Sequence, residues 1–313
     1  MRWIKQGRIF APPRHYASVP CADPLGGDHY RVYYSERDAE GRSHTGFFEI
    51  DLTRPHETLR VSERAVLEPG EAGLFDDAGA MATWMVGSSV PRVLGSSGPG
   101  GTEEPFKYLY YIGWNRATTV PFRNALGVAI SRDGGETFEK YSRGPILDRS
   151  IFDPSFVASA CVLRDEHRWR MWYLSCVAWE RIGGKLQHRY HIKYAESDDG
   201  LAWRRDGQVC IDFRSPDEYA ISRPSVIRDG GVYRMWYSYR GASYRIGYAE
   251  SEDGVQWVRK DEEAGIDVSP EGWDSEMIEY PHVIRHRGRL YLFYNGNGYG
   301  ETGIGLAVED WNR

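Results

Sequence analysis

Apolar and polar positions alternate along most of the chain in short segments. Stretches such as "RMWY" (Arg170–Tyr173) and "LYLF" (Leu290–Phe293) alternate with a period of two, which predicts β-strands. No stretch keeps the 3.6-residue period of an amphipathic helix over a useful length. The pattern therefore predicts an all-β fold, with sheets packed on both faces.

The predicted strands recur in a fixed order. A copy reads as an aromatic strand, a connector, a strand that in two copies ends in "YAES", a tight turn, and a further strand. The copies cover His29–Val66, Lys107–Ser142, Trp169–Gly207, Tyr233–Lys260 and Arg289–Trp311. Each follows another short strand, so the repeating unit is four antiparallel strands. Such units are typical of β-propeller blades, and we count five.

The last copy ends at Trp311, with no room for a fourth strand. The N-terminal "MRWIKQG" resembles the fourth-strand openings "LAWRRDG" and "VQWVRKD". We therefore predict that Met1–Phe10 completes the last blade, which closes the ring and removes an exposed sheet edge. The sequence predicts one five-bladed propeller domain over residues 1–313.

Composition narrows the classes of partner. The 313 residues include 11 Trp, 21 Tyr, 35 Gly and 16 Pro, which suits many short strands and turns. A net charge of -6, from 39 basic and 45 acidic residues, gives no electrostatic case for nucleic acid or a membrane as the partner. The N-terminus lacks the apolar core of a signal peptide, and no apolar run has the length of a membrane span. We predict a cytoplasmic, soluble protein.

Cysteine and turn residues are expected to be structural. The four cysteines are far apart in sequence and show no C-x-x-C spacing, so buried free thiols are expected. No His, Asp or Cys set has convincing metal spacing, and we predict no metal and no cofactor. Asp133, Asp199 and Asp253 stand in Asp-Gly turns, where a hairpin role is expected.

Candidate chemistry collects where the first strand of each blade begins. In a propeller these strands line the central channel, so their first residues converge at one end of it. The five starts read "RHYAS", "FDDAG", "FDPSF", "SRPSV" and "EYPHV". With the preceding loops and two neighbouring strand ends, the candidate site residues are Arg14, His15, Asp76, Asp77, Trp114, Asn115, Asp153, Glu218, Arg223, Glu276, Glu279, Tyr280, His282 and Asn295.

Carboxylates in an aromatic pocket indicate glycosidic chemistry. Cleavage of a glycosidic bond uses one carboxyl group to protonate the leaving oxygen and a second as base, nucleophile or charge stabiliser. Tryptophan and tyrosine side chains suit the apolar faces of sugar rings, while polar groups fix the hydroxyls.

The blade pattern with channel-lining acids resembles the arabinanase, levansucrase and invertase superfamily of glycoside hydrolases, with its phosphorylase relatives, over essentially the whole chain. That resemblance implies three central acids: Asp77 as base or nucleophile, Asp153 as an orienting carboxylate and Glu276 as the acid. The first blade departs from the superfamily, with "RHYAS" where many relatives carry their base. The string "GLFDDAGAM … YYIGWN … WDSEMIEYPH … YNGNGYG" resembles an uncharacterised branch associated with bacterial polysaccharide biosynthesis.

Several roles stay open at this stage. Glu279 and Glu218 are alternatives to Glu276 for the acid. Asp76 either caps a turn or binds substrate. Arg223 either pairs with Asp153 or Asp77, or binds an anionic ligand.

Three functions are compatible with this pattern. The leading one is hydrolysis of a small glycan or glycoconjugate. The second is a glycoside phosphorylase, or an enzyme acting on an anionic or nucleotide-linked sugar, for which Arg14, His15, Arg223 and His282 would hold the anion. The third is a sugar-binding propeller without catalysis. The oligomeric state is left open.

Overall fold

The chain folds almost entirely into antiparallel β-strands. A computed structural model describes residues 1–12, 15–87, 106–165, 168–182 and 184–310. The first strand, β1 (Trp3–Phe10), is followed along the chain by successive meanders of four strands. Two short 3-10 helices, Asp261–Glu263 and Gly298–Gly300, complete the regular elements of these residues.

Two meanders make up the N-terminal half. The strands of the first are β2 (Ser18–Gly26), β3 (His29–Arg37), β4 (Ser43–Asp51) and β5 (Thr58–Val61). Those of the second are β6 (Gly79–Val86), β7 (Lys107–Arg116), β8 (Phe122–Ser131) and β9 (Glu139–Lys140). Neighbours pair antiparallel in chain order, and a parallel contact of Ser43 with Gly79 joins the two meanders into one sheet.

The next two meanders repeat this arrangement. The third contains β10 (Phe156–Arg164), β11 (Trp169–Ile182), β12 (Lys185–Ser197) and β13 (Val209–Ile211). The fourth contains β14 (Ala220–Asp229), β15 (Val232–Arg240), β16 (Tyr244–Ser251) and β17 (Val258–Arg259). A parallel contact of Tyr190 with Ala220 again joins the pair.

The last meander uses both ends of the chain. Its strands are β18 (Glu279–His286), β19 (Arg289–Asn295) and β20 (Ile304–Glu309). The N-terminal strand β1 pairs antiparallel with β20, from Trp3 opposite Glu309 to Phe10 opposite Ile304. The sheet order is thus β1-β20-β19-β18. The N-terminal segment is the fourth strand of the last meander, as its sequence predicts.

The first strands of the five meanders contact one another in cyclic order. Strand β2 contacts β6, β6 contacts β10, β10 contacts β14, β14 contacts β18, and β18 contacts β2. Each carries a bulge at a corresponding level, marked by a register shift against its second strand. We call these five the inner strands.

Aromatic side chains join each meander to the next. In the first three meanders, a second-strand aromatic donates a hydrogen bond to the carbonyl of the turn glycine in the following meander. The donors and acceptors are Tyr33 and Gly135, Tyr110 and Gly200, and Trp172 and Gly254, at 2.9, 2.9 and 2.7 Å. The glycines follow Asp133, Asp199 and Asp253, whose carboxylates accept backbone N–H groups inside the same turns. These aspartates therefore have the structural role expected of them.

Three further features of the described residues concern the cysteines, the helices and possible metal ligands. All four cysteines are buried free thiols. None of the described helices has the length and apolarity needed to cross a membrane. Within the same residues, no group of three or more His, Cys, Asp or Glu side chains is placed to hold a metal ion.

The role of β1 can be tested at Trp3. Its indole is buried, donates a 2.9 Å hydrogen bond to the Ala264 carbonyl and contacts Trp236 edge-on at 5.8 Å. We expect Trp3→Ala to lower the free energy of unfolding by about 3–5 kcal/mol in chemical denaturation. Ile4→Ala, at a neighbouring position that is 42% exposed, is the control. Equal effects of the two substitutions would show that β1 is not an integral strand.

Candidate functional site

A cavity of about 300 Å³ lies where the inner strands meet. Each inner strand contributes to its wall, through Val19, Met81, Ser159, Ser222 and Tyr280. A second cavity of about 270 Å³ adjoins it and shares four lining residues with it, Arg37, Met81, Tyr280 and Tyr299. We call the two together the axial cavity. The two volumes together lie within the range for small-ligand pockets.

The backbone around the axial cavity is strained. Val19, Ser159, Arg223 and Tyr280 lie at the bulges of four inner strands and have φ between 45° and 58°. This left-handed conformation is unfavourable for residues other than glycine, above all for a β-branched valine. Side chains from neighbouring strands hold two of these residues: Asn295 Oδ1 accepts from the Val19 N–H at 2.9 Å, and Ser238 Oγ accepts from the Tyr280 N–H at 2.8 Å.

Aromatic rings form much of the cavity wall. Tyr190 and Tyr244 share a 2.5 Å hydrogen bond between their hydroxyls. His188 stacks on Tyr190 with ring centroids 4.5 Å apart and planes 7° from parallel. Burial, with a smaller effect of the Arg240 charge, lowers the pKa of His188 to about 4, so the imidazole is neutral at neutral pH. The wall thus offers flat, largely apolar surfaces with hydroxyls at their edges.

Glu279 is a buried carboxyl group beside the cavity. It begins β18, immediately before the lining residue Tyr280, and has no exposed surface. Among the described residues, neither of its carboxyl oxygens has a partner in hydrogen-bond geometry. Burial raises the pKa of Glu279 well above its usual value, and the nearby Arg240 charge and Tyr280 hydroxyl oppose this only in part. The protonated form of this carboxyl group is therefore favoured up to a higher pH than for an exposed glutamate.

Two arginines at the ends of second strands line the cavity. Arg37 ends β3 and lies over the rings of Tyr16 and Trp114, at 5.3 and 5.9 Å from their centroids. Arg240 ends β15 and donates to the Tyr299 hydroxyl at 2.6 Å. Neither guanidinium lies within ion-pair distance of a carboxylate in the described part of the chain.

Asp153 and Asp76 occupy a repeated structural cluster outside the cavity. In four meanders, the hydroxyl of a second-strand tyrosine donates to an aspartate that also pairs with a lysine or arginine. The clusters are Tyr111–Asp76–Lys140, Tyr173–Asp153–Arg205, Tyr237–Asp261–Arg259 and Tyr294–Asp274–Lys5. Asp153 also lies 3.7 Å from Lys193 Nζ. We call these sets the Tyr–Asp–cation clusters, and their recurrence indicates that Asp76 and Asp153 stabilise the fold.

The other two acids of the expected catalytic set also lie outside the cavity wall. Asp77 accepts the Gly73 N–H at 2.9 Å and lines a separate surface depression with Arg42 and Arg116. Glu276 is exposed, and its backbone N–H donates to Asn297 Oδ1. The structure therefore does not bring Asp77, Asp153 and Glu276 together at the axial cavity.

Arg223 differs from its expectation. It is fully buried and pairs with neither Asp153 nor Asp77. Its guanidinium donates to the carbonyl and hydroxyl of Thr83 and, at 2.6 Å, to the carbonyl of Pro20. These contacts use both terminal nitrogens, and the buried guanidinium does not line the axial cavity, so it cannot contact an anion there.

Four further candidates have structural contacts. His282 is buried against Trp84 with centroids 4.9 Å apart, and burial lowers its pKa to about 3. Glu218 forms a buried ion pair with Arg259 at 2.7 Å. The Asn295 amide group donates to the carbonyls of Ala17 and Gly303. Asn115 pairs with Arg123 within the β7–β8 ladder. None of the four lines the cavity.

Of the four remaining candidate site residues, two line the cavity and two do not belong to its described wall. Trp114 and Tyr280 line the cavity. His15 is exposed and is not part of the wall, and Arg14 lies outside the described residues. The residues missed at the sequence level include Arg37, Arg240, Tyr190, Tyr244 and Tyr299. Arg37, Trp114 and Arg240 stand three positions after corresponding tyrosines of the repeat, Tyr34, Tyr111 and Tyr237. Aligning the repeats would have identified the two arginines.

Comparison with known proteins gives close sequence relatives and more distant structural ones. No protein-family model matches the chain. "Uncharacterized protein MT1551" and "Uncharacterized protein Rv1502", from two Mycobacterium tuberculosis strains (CDC 1551 / Oshkosh and ATCC 25618 / H37Rv), are each 43% identical to it over 314 residues. The match covers 98% of this chain and 99% of each relative.

The similar solved structures include glycoside hydrolases. One, described simply as a glycoside hydrolase, has a TM-score of 0.73 at 21% identity, over 98% of this chain and 91% of its own. A thermostable family-43 glycoside hydrolase has a TM-score of 0.68 at 15% identity, over 96% and 91%. A mutant of the Bombyx mori GH32 beta-fructofuranosidase BmSUC1, in complex with sucrose, has 0.64 at 15% identity, over 96% and 61%. The chain therefore has the all-β, propeller-type fold found in glycoside hydrolases.

The structural role of Asp153 can be measured directly. Its side chain is fully buried between Tyr173 and Arg205, so Asp153→Asn leaves a largely buried arginine and lysine without their counter-charge. We expect a loss of about 3–5 kcal/mol in the free energy of unfolding. Asp198→Asn is the control, because it breaks an exposed ion pair with Arg204. A fully stable Asp153→Asn protein would contradict the structural role.

The protonation of Glu279 predicts a pH-dependent stability difference. The unfolded chain ionises this group above a pKa of about 4.3, whereas the raised pKa keeps it protonated in the folded protein. Stability from this group is thus present below the unfolded pKa and is lost as pH rises towards the folded pKa. Relative to wild type, Glu279→Gln should gain about 1.4 kcal/mol per pH unit across that window. Glu276→Gln, at an exposed carboxyl, should show no such gain in the same denaturant titrations.

Proposed function

The chain belongs to the same family as MT1551 and Rv1502 of Mycobacterium tuberculosis, and we propose that it is a glycosidase-like enzyme that acts on a small glycan or glycoconjugate in the axial cavity. The observation that carries this proposal is the fully buried carboxyl group of Glu279, whose pKa burial raises, beside an aromatic cavity. The propeller-type fold, which recurs in glycoside hydrolases, is consistent with it.

We propose in addition that the five meanders are the blades of a single propeller over residues 1–313. Two observations support this arrangement. The inner strands contact one another in cyclic order, with β18 against β2. The N-terminal strand β1 pairs with β20, so that the last meander is completed by the start of the chain.

Glu279 is proposed as the general acid. A protonated carboxyl group can donate to the glycosidic oxygen as the bond to the anomeric carbon breaks, and burial is the usual means of raising a carboxyl pKa for this task. Its neighbours Arg240, Tyr244 and Tyr280 all line the cavity. Of the three acids that were alternatives for this role, Glu276 is exposed and Glu218 is ion-paired, which favours Glu279.

The cavity wall suits a sugar. Its rings can stack on the C–H faces of a pyranose or furanose, and its hydroxyls and the Asn124 amide can bind ring hydroxyls. The assignment of a base or nucleophile to Asp77, and the link to polysaccharide biosynthesis, stay predictions from sequence. A sugar-binding protein without catalysis is the second candidate, because no carboxylate lines the described part of the cavity wall.

Glu279→Gln tests the acid role. We expect turnover of aryl glycosides to fall by about 10²–10⁴-fold, because the amide cannot donate the required proton. The loss should be smaller for dinitrophenyl than for phenyl glycosides, since a better leaving group needs less protonation. Wild-type kcat/KM should decline at alkaline pH as Glu279 ionises, and the variant should lack that decline.

Glu276→Gln is the matched control for this experiment, three residues away on the surface. Full activity in Glu279→Gln, or an equal loss in both variants, would refute the acid assignment. Binding of glycosides by wild type without turnover would favour the second candidate.

A further inference from the structure

The side chains that line the axial cavity offer hydrogen-bond donors and positive charge, but hardly any ionised acceptor. Arg37 and Arg240 line it, and the wall contains no aspartate or glutamate among the described residues. Ser222 Oγ and the Trp114 indole N–H are buried in the wall with no partner in the described chain. A guanidinium N–H can only donate, so Arg37 and Arg240 offer the cavity donors that an acceptor group of a ligand can use.

The carboxyl groups near the arginines do not neutralise them. Neither carboxyl oxygen of Glu279 has a hydrogen-bond partner among the described residues, so Glu279 makes no direct contact with the Arg240 guanidinium. Glu36, next to Arg37 in sequence, pairs with His44 at 2.8 Å. Glu301 accepts a hydrogen bond from Tyr16 at 3.0 Å, and no ion pair links it to Arg37 among the described residues. The two guanidinium charges therefore remain available to the cavity.

A third positive charge lies behind the wall. Arg223 follows the lining residue Ser222, is fully buried, and is bonded only to neutral oxygens. Its charge is uncompensated by a carboxylate in direct contact, and in a poorly solvated interior such a charge acts over a longer range than at the surface. Its effect adds to that of Arg37 and Arg240.

We infer that the axial cavity binds a sugar that carries an anionic oxygen group, a carboxylate or a phosphate, and that Arg37 and Arg240 bind this group. The inference rests on the proposed function for the site and names its substrate class. A neutral sugar presents mostly hydroxyls, which both donate and accept, and would leave the two charges unpaired. Two guanidinium groups match the oxygen pairs of a carboxylate or phosphate.

Matched pairs of probes test the inference by titration calorimetry. Nitrophenyl glucuronide against nitrophenyl glucoside, and nitrophenyl galacturonide against nitrophenyl galactoside, differ only in the carboxylate. Glucosyl phosphate against methyl glucoside tests phosphate. We expect at least one anionic probe to bind wild type about tenfold or more tightly than its neutral partner. The pair that shows the larger difference identifies carboxylate or phosphate as the group.

Variants of Arg37 and Arg240 test whether these two side chains bind the anionic group. Arg37→Gln and Arg240→Lys should each weaken the anionic probe by about 10–100-fold and leave the neutral probe little changed. The Lys variant keeps the charge, so its loss reports the guanidinium geometry. Arg54→Gln is the control: it removes one charge from an exposed pair with Glu57. The Arg54 variant should bind like wild type, and thermal melting should show all three variants folded.

The inference is overturned if no anionic probe binds at millimolar concentration, if neutral partners bind equally well, or if both arginine variants keep the preference. Its failure is distinct from failure of the proposed function. Glu279-dependent cleavage of neutral glycosides, without a preference for anionic ones, would refute the anionic substrate class and retain the proposed glycosidase activity. Tight, arginine-dependent binding of anionic probes without turnover of any glycoside would support the anion site and refute the proposed enzyme activity.

Discussion

The fold depends on a buried guanidinium at its centre. Arg223 extends from β14 to the carbonyl of Pro20 on β2 and to Thr83 on β6, whose hydroxyl in turn donates to the Ala160 carbonyl on β10 at 3.0 Å. Burial of an ionised group is costly unless its hydrogen bonds are made, so the arginine and the three strands stabilise one another. The backbone of Arg223 is left-handed, with φ of 52°, at the bulge between Ser222 and Ser225, a conformation that the surrounding contacts must stabilise. The axial cavity lies on the strands that this residue joins.

The repeat separates the acids of the Tyr–Asp–cation clusters from Glu279, the proposed general acid. Asp76, Asp153, Asp261 and Asp274 have corresponding partners in the Tyr–Asp–cation clusters, which gives each of them a role in holding its own meander together. Glu279 has no counterpart in such a cluster and no hydrogen-bond partner in the described chain. A carboxyl group that costs stability where it lies, rather than adding to it, needs an explanation outside the fold. The proposed role as general acid would be such an explanation.

The sequence predicts the strands well because their order repeats and their alternation is regular. It also predicts β1 as the last partner of β20, since "MRWIKQG" resembles "LAWRRDG" and "VQWVRKD" in sequence. The site is predicted less well for two physical reasons. Asp76 and Asp153 precede their strands, and a loop side chain is free of the period-two rule, so both turn towards a tyrosine. The bulges then shift which residues face the cavity, a change that Pro20, Pro224 and Pro281 mark in the sequence.

The proposed acid and the proposed anion site are coupled through Arg240. Its charge opposes the raised pKa of Glu279, so the arginine favours loss of the proton that the acid must keep. An anionic group bound to Arg240 would offset that charge and exclude water from the same wall, and both effects favour the protonated carboxyl. Binding of the substrate would thus keep the carboxyl group protonated until it donates its proton to the leaving oxygen. A neutral sugar would provide only the exclusion of water, which is a physical reason for an anion-binding arginine to stand beside this glutamate.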